Sequence, residues 1–279
     1  MTLVAVVGDA ATTTAVALAA GWSAPDDAVV LEADPTGGSL AGWLDTPAHP
    51  SLSTVVAHVG TNTDRSALTT LDAMTHRSAS GVRFVAAPVR ARAAHRAVEE
   101  AAVALFPTIA DAPLAVIADA GRHRAGEPPT AVLRLADVVV IVHRQANASA
   151  AAATVRIERL VETVEELAHL DADVVLAVIG ATPFDPAEIG SFVLQAVPES
   201  IGTTVALADD PLAAATIAGR AGVSAKRLRR LPLLRDASLV ADAVLDLVAA
   251  RPLDLEVTSV PGGSRRADSV RSGAEERST

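Results

Sequence analysis

The chain has 279 residues, 23 cationic side chains against 33 acidic ones, a net charge of −10, 2% aromatics and no cysteine. The length fits one large α/β domain or two small ones, and with half the residues hydrophobic wholesale disorder is excluded. The lack of cysteine rules out a disulfide-stapled scaffold, thiolate metal sites and a cysteine nucleophile.

Apolar runs of strand length alternate with helical patterns along the chain. The run Leu3–Val7 predicts a strand and Thr13–Gly21 the helix after it. A strand over Ala28–Leu31 leads to helices over Gly38–Leu44 and Arg65–His76. Next come a strand at Val82–Ala87, a helix at Arg92–Leu105 and a strand at Leu114–Ala118. The strand Val138–Val142 precedes a long helix, Ala148–Leu170, in which Ile157, Leu160, Val161, Val164 and Leu167 recur at helical spacing. Then follow a strand at Val174–Ile179, a helix at Pro186–Gln195, a strand at Thr203–Leu207 and helices at Pro211–Gly219 and Ala237–Ala250. Most of these strands are continuously apolar and rich in valine, as strands covered on both faces are. The alternation predicts an α/β fold, a doubly wound, mainly parallel sheet of about seven strands with helices on both faces. Residues 1–250 form the expected domain. Residues 251–279, rich in Pro, Gly, Ser, Arg and Glu, are expected to be a disordered tail.

No apolar run reaches the roughly 18 residues of a membrane-spanning helix. The start MTLVAVVGDA lacks the basic residues of a signal peptide. A cytoplasmic protein is expected.

Ligands of doubly wound sheets sit beyond the carboxyl ends of the strands. The first strand runs into Gly8-Asp9-Ala10-Ala11-Thr12-Thr13-Thr14 and a helix. The unpaired N–H groups and dipole of that helix start favour an anion. The second strand ends in Glu32-Ala33-Asp34-Pro35-Thr36-Gly37, and the fourth in Asp119-Ala120-Gly121-Arg122. Carboxylates at two neighbouring strand ends, facing a threonine-rich helix start, have the chemistry to hold hydrated Mg²⁺ on a phosphate.

These segments resemble the ParA/MinD family of deviant P-loop ATPases, whose loop reads Lys-Gly-Gly-x-x-Lys-Thr-Thr. Gly8 matches the first glycine, Thr13 the magnesium-ligand threonine and Thr14 the threonine after it. Glu32–Gly37 matches the Asp-x-Asp-Pro-x-Gly-like switch, and Asp119 the Walker B aspartate. The likeness continues more weakly through Ala136–Val142 and Ala208–Pro211 to about Ala250. It implies ATP on residues 8–14, Mg²⁺ at Thr13 with Asp34 and Asp119 behind it, and Asp34 as the catalytic carboxylate. It also implies a homodimer or partner protein and a role in partition, septum, pilus or secretion-system placement.

The departures concern charge. Val7 stands where the family has its signature lysine, Thr12 replaces the P-loop lysine, and Asp9 replaces the second glycine. The first 64 residues hold seven carboxylates and no lysine or arginine. One unit-charge pair at 4 Å is worth about 4 kcal/mol at an effective dielectric of 20, and each 1.4 kcal/mol is about tenfold in affinity. The expectation is therefore a degenerate member with weak or no ATP hydrolysis, acting as a dimerising switch or regulator. The alternative is a nucleotide-independent scaffold.

Arg122, Arg124 and Arg144 are candidate replacement cations at the same sheet edge, Arg122 foremost as a phosphate contact. His123 and His143 permit a transition-metal site there. A dinucleotide-dependent oxidoreductase, with Glu32 on a ribose, is the remote alternative, although the glycine-rich fingerprint is missing. Lys226-Arg227-Leu228-Arg229-Arg230, with Arg220 and Arg235, is the basic cluster of the chain. The overall acidity argues against non-specific DNA as its partner.

Overall fold

The computed structural model describes residues 1–61, 67–123, 126–127, 129–145 and 149–251. In chain order these form β1 (Thr2–Gly8), α1 (Ala11–Gly21), β2 (Ala28–Glu32), α2 (Leu40–Trp43), α3 (Leu52–Thr61) and α4 (Ala67–Met74). There follow β3 (His76–Arg77), β4 (Arg83–Val85), α5 (Ala91–Ala104), β5 (Ala115–Asp119), α6 (Ala131–Leu135) and β6 (Val138–Arg144). The remainder is α7 (Ala150–Leu167), β7 (Asp173–Ile179), α8 (Pro186–Ala196), β8 (Thr203–Leu207), α9 (Pro211–Ile217), α10 (Ala225–Leu228) and α11 (Pro232–Ala250).

The strands make one sheet in the order β3-β4-β2-β5-β1-β6-β7-β8. It has eight strands where about seven were expected. The addition is the two-residue β3, antiparallel to β4 at the edge. Its residues His76 and Arg77 carry no apolar signal, and the helix expected to reach His76 ends at Met74. Every other pairing is parallel.

Alternate residues of each strand face opposite layers. Leu3, Ala5 and Val7 of β1 pack with α3, α5, α7 and α8 through Leu52, Val98, Leu160 and Ile189. Val4 and Val6 pack with α1, α9 and α11 through Leu18, Ile217 and Val240. α1 lies between the sheet and α11, so Ala15 to Ala19 are all buried. This is why that helix consists of alanine, valine, leucine, threonine and one glycine, with no charge.

The helices α3, α6 and α10 were not predicted from the sequence, and α11 starts five residues before its predicted start. Pro232 sits in the first turn of α11, where its missing N–H is harmless. Arg251, expected to open a tail, instead donates to Asp173 at 2.8 Å and lies 3.7 Å from Asp137. The rest of the expected tail, 252–279, lies outside the described residues. Among the described residues no helix is long and apolar enough to cross a membrane.

Candidate functional site

The parallel register brings the three expected segments to one edge of the sheet. Asp119 is aligned with Val6 of β1 on one side and Glu32 of β2 on the other. Beyond the strands, Gly8 N–H donates to Gly121 at 2.9 Å and Asp9 N–H to the Val142 carbonyl at 2.8 Å. Gly8 has φ +112°, and a Cβ there would lie 2.3 Å from the Val142 oxygen, so the loop requires glycine at this position. Ala10 adopts a left-handed conformation, φ 57°, and turns the chain into α1 without any side-chain cap. The first N–H groups of α1 thus have no side-chain cap, and the dipole of a helix start favours an anion there.

The Asp9 carboxylate turns toward β6, where Oδ2 accepts from Arg144 N–H at 3.4 Å. Thr12, in the position of the family's lysine, is uncharged and lies near enough to Asp119 to favour its charged form. Thr14 is 2% exposed and belongs to the core, so it can offer a ligand no side chain. Ala11 is also buried, whereas Thr12 and Thr13 are half-buried.

Behind the loop stand three carboxylates. Asp119 is fully buried, and burial raises its pKa from 3.8 to about 7, against the opposing pull of the Thr12 hydroxyl and the Gly121 N–H. Glu32 and Asp34 add to the rise by repulsion. Asp119 Oδ2 has no hydrogen-bond partner. Glu32 is also buried, and burial raises its pKa. Its Oε1 accepts from Ser39 and Leu40 N–H at 2.5 and 2.7 Å, and its Oε2 from Ala87 N–H at 2.8 Å. With both oxygens committed to backbone amides, Glu32 fastens the switch segment and the α2 start to the end of β4. It has no oxygen to spare for a ribose.

Asp34 closes an Asx turn rather than capping a helix. Its Oδ1 accepts from Thr36 N–H and Oγ1 at 2.8 and 2.7 Å. Its carboxyl rests on Gly121, where a Cβ would come within 2.4 Å of it. Asp34 and Asp119 are thus brought together.

The candidate cations separate. Arg144 is committed to Asp209, with contacts of 2.9 and 2.7 Å. Arg124 lies outside the described residues. Arg229 lines a small pocket with Gly21 and Trp22 at the far end of α1, about 16 Å from the loop at 1.5 Å per residue. Arg122 is exposed and lines a cleft of about 300 Å³ with Val7, Gly8 and Asp9, on the α7 side of the loop. Two arginines that the sequence reading missed, Arg156 and Arg159 of α7, line the same cleft. Their signal was i,i+3 spacing, which puts them on one helix face, but only the tertiary fold aims that face at the loop.

His143 lines this cleft as well. His123 does too, but its Nε2 pairs with Glu166 at 3.1 Å. Among the described residues no group of three or more His, Cys, Asp or Glu side chains is arranged to hold a metal ion, so the transition-metal site has no geometric support.

No family model matches the chain, and no curated protein does. Solved structures do. A ParA family ATPase from Chlorobium tepidum TLS superposes with a TM-score of 0.60 at 16% identity, over 88% of this chain and 98% of that one. The septum site-determining protein MinD of Pyrococcus horikoshii OT3, complexed with Mg-ADP, gives 0.56 at 12% identity, over 89% and 97%. This chain has the ParA/MinD P-loop NTPase fold. The same fold also carries cobyrinic acid a,c-diamide synthase of Mycobacterium smegmatis, with a TM-score of 0.53 at 14% identity over 90% and 97%, so fold by itself does not decide among activities.

The residues of this ParA/MinD-fold site fit a magnesium nucleoside triphosphate poorly. The orphaned Asp119 Oδ2 and the adjacent Asp34 suit a hydrated cation. A triphosphate would instead meet Asp34 and Asp119 with no cation on the loop to offset its charge.

Proposed function

We propose that the chain is a degenerate ParA/MinD-like protein with no significant ATP hydrolysis, acting in the cytoplasm as a regulator in spatial organisation. It would work through a homodimer or a partner protein. One observation carries the reading: the lysine position holds Thr12, an uncharged residue at a helix start that faces the buried Asp119. Without the lysine the loop retains a polar cradle but loses the fixed positive charge that stabilises a transferring phosphoryl group. The roles in cell division and septum siting are those of the solved neighbours, and they come to this chain only as part of the proposal.

A second reading is a switch that binds nucleotide weakly and still dimerises on it. It is favoured by the loop backbone, in which Gly8 and Ala10 hold the P-loop turn and α1 is uncapped. In that reading the Gly8–Thr14 loop and Arg122 would hold phosphate, while Thr13, Asp34 and Asp119 would hold magnesium. Titration with ATP–Mg²⁺ and with NAD by calorimetry, followed by a phosphate-release assay, separates the readings. The primary reading expects no release above the buffer rate. Steady turnover would refute it. Tight NAD binding would revive the oxidoreductase.

A further inference from the structure

The cleft on the α7 side of the loop has a different electrostatic character from the carboxylate cluster behind it. Arg122 enters from the end of β5, and Arg156 and Arg159 from α7. The guanidinium groups of Arg122 and Arg159 have no hydrogen-bond or ion-pair partner among the described residues. Arg156 uses one nitrogen on the Arg144 carbonyl at 2.9 Å. Asp9 is the single carboxylate in the lining, and Glu166 is occupied nearby by His123 and by Gly126 N–H. Arginines that line one cleft repel one another, and an anion relieves that repulsion.

A second, independent feature lies in the same lining. His143 is 5% exposed, and its Nε2 is buried with no partner. Burial lowers its pKa, with Arg156 adding to the fall and Asp9 opposing it. A buried donor or acceptor left unpaired is costly, and a bound oxyanion would satisfy the neutral ring as an N–H donor.

We propose that this cleft binds a small phosphorylated molecule, with its phosphate gripped by Arg122 and Arg159 and approached by His143. Guanidinium groups match phosphate oxygens bidentately. A volume of about 300 Å³ lies at the lower end of the small-ligand range, which suits one phosphorylated unit and not a nucleoside triphosphate. The site adjoins the loop but is not the helix-start cradle, and it does not depend on whether ATP is hydrolysed.

The test is calorimetric titration of the full chain with inorganic pyrophosphate and inorganic phosphate. Wild-type protein is expected to bind pyrophosphate at sub-millimolar concentration, more weakly as salt rises from about 50 to about 500 mM. Arg122→Ala and Arg159→Ala, both surface changes that leave the core intact, are each expected to weaken binding about tenfold or more. Arg229→Ala, at the far end of α1 and outside both the loop and the cleft, is expected to leave it unchanged. Absence of wild-type binding, unchanged affinity in both arginine variants, or an equal loss in Arg229→Ala would each overturn the proposal. None of these outcomes alters the phosphate-release result, so the two readings fail separately.

Discussion

Replacing Asp119 by asparagine removes a buried charge while preserving shape. The amide side chain would keep an oxygen for Gly121 N–H, which Asp119 Oδ1 now accepts at 3.2 Å, and would put an NH₂ where Oδ2 has no partner. Burial raises the Asp119 pKa from 3.8 to about 7, so the folded state holds this proton more tightly than the unfolded chain does. Its contribution to stability is full below pH 3.8, falls as pH rises toward 7 and is level above that. About three pH units at about 1.36 kcal/mol each set a ceiling of about 4 kcal/mol on the loss. Glu32 shifts in the same direction but is present in both proteins. Denaturant unfolding at intervals from about pH 4 to about pH 8.5 is therefore expected to give similar stability at the acid end. Above about pH 7.5 the Asp119→Asn protein should be the more stable by a few kcal/mol. Mg²⁺ should stabilise the wild type above about pH 7 and not the variant. Parallel pH profiles would refute the argument that Asp119 is held in an uncompensated site.

The loop and switch give further expectations. Gly8→Ala is expected to destabilise by about 1–3 kcal/mol or more in urea unfolding, because it combines a positive φ with a Cβ 2.3 Å from a carbonyl oxygen. Glu32→Gln sets an amide NH₂ or a lost acceptor against the N–H groups of Ala87, Ser39 and Leu40. It should cost about 1–3 kcal/mol at neutral pH despite removing a buried charge, and an unchanged unfolding midpoint would contradict the latch. Restoring the family loop with Asp9→Gly and Thr12→Lys together should raise ATP–Mg²⁺ affinity at least about tenfold by calorimetry. No gain would mean that charge is not what limits nucleotide binding.

The doubly wound fold was legible because the strand runs are valine-rich and buried on both faces, and the helices between them keep a strict period. That Gly8, Asp34 and Asp119 would meet at one edge was legible because the ends of neighbouring parallel strands must share it. What could not be read was where side chains turn. Asp9 looked like an anion on the phosphate loop, and only its contact with Arg144 N–H, 135 residues away, shows it facing β6. α3 and α6 were missed because they are short segments whose burial comes from α5, β1 and their neighbours, not from a long pattern of their own.

By itself, then, the sequence determined the layered architecture, the edge at which the ends of the first, second and fourth predicted strands meet and the absence of lysine or arginine in the first 64 residues. These follow from local periodicity and composition. The tertiary structure decided which charges meet. It buried Asp119 beside Thr12, closed Glu32 onto three backbone amides, and brought Arg122, Arg156 and Arg159 to one cleft. Such long-range pairings depend on strand order and helix orientation, which no local stretch of sequence encodes.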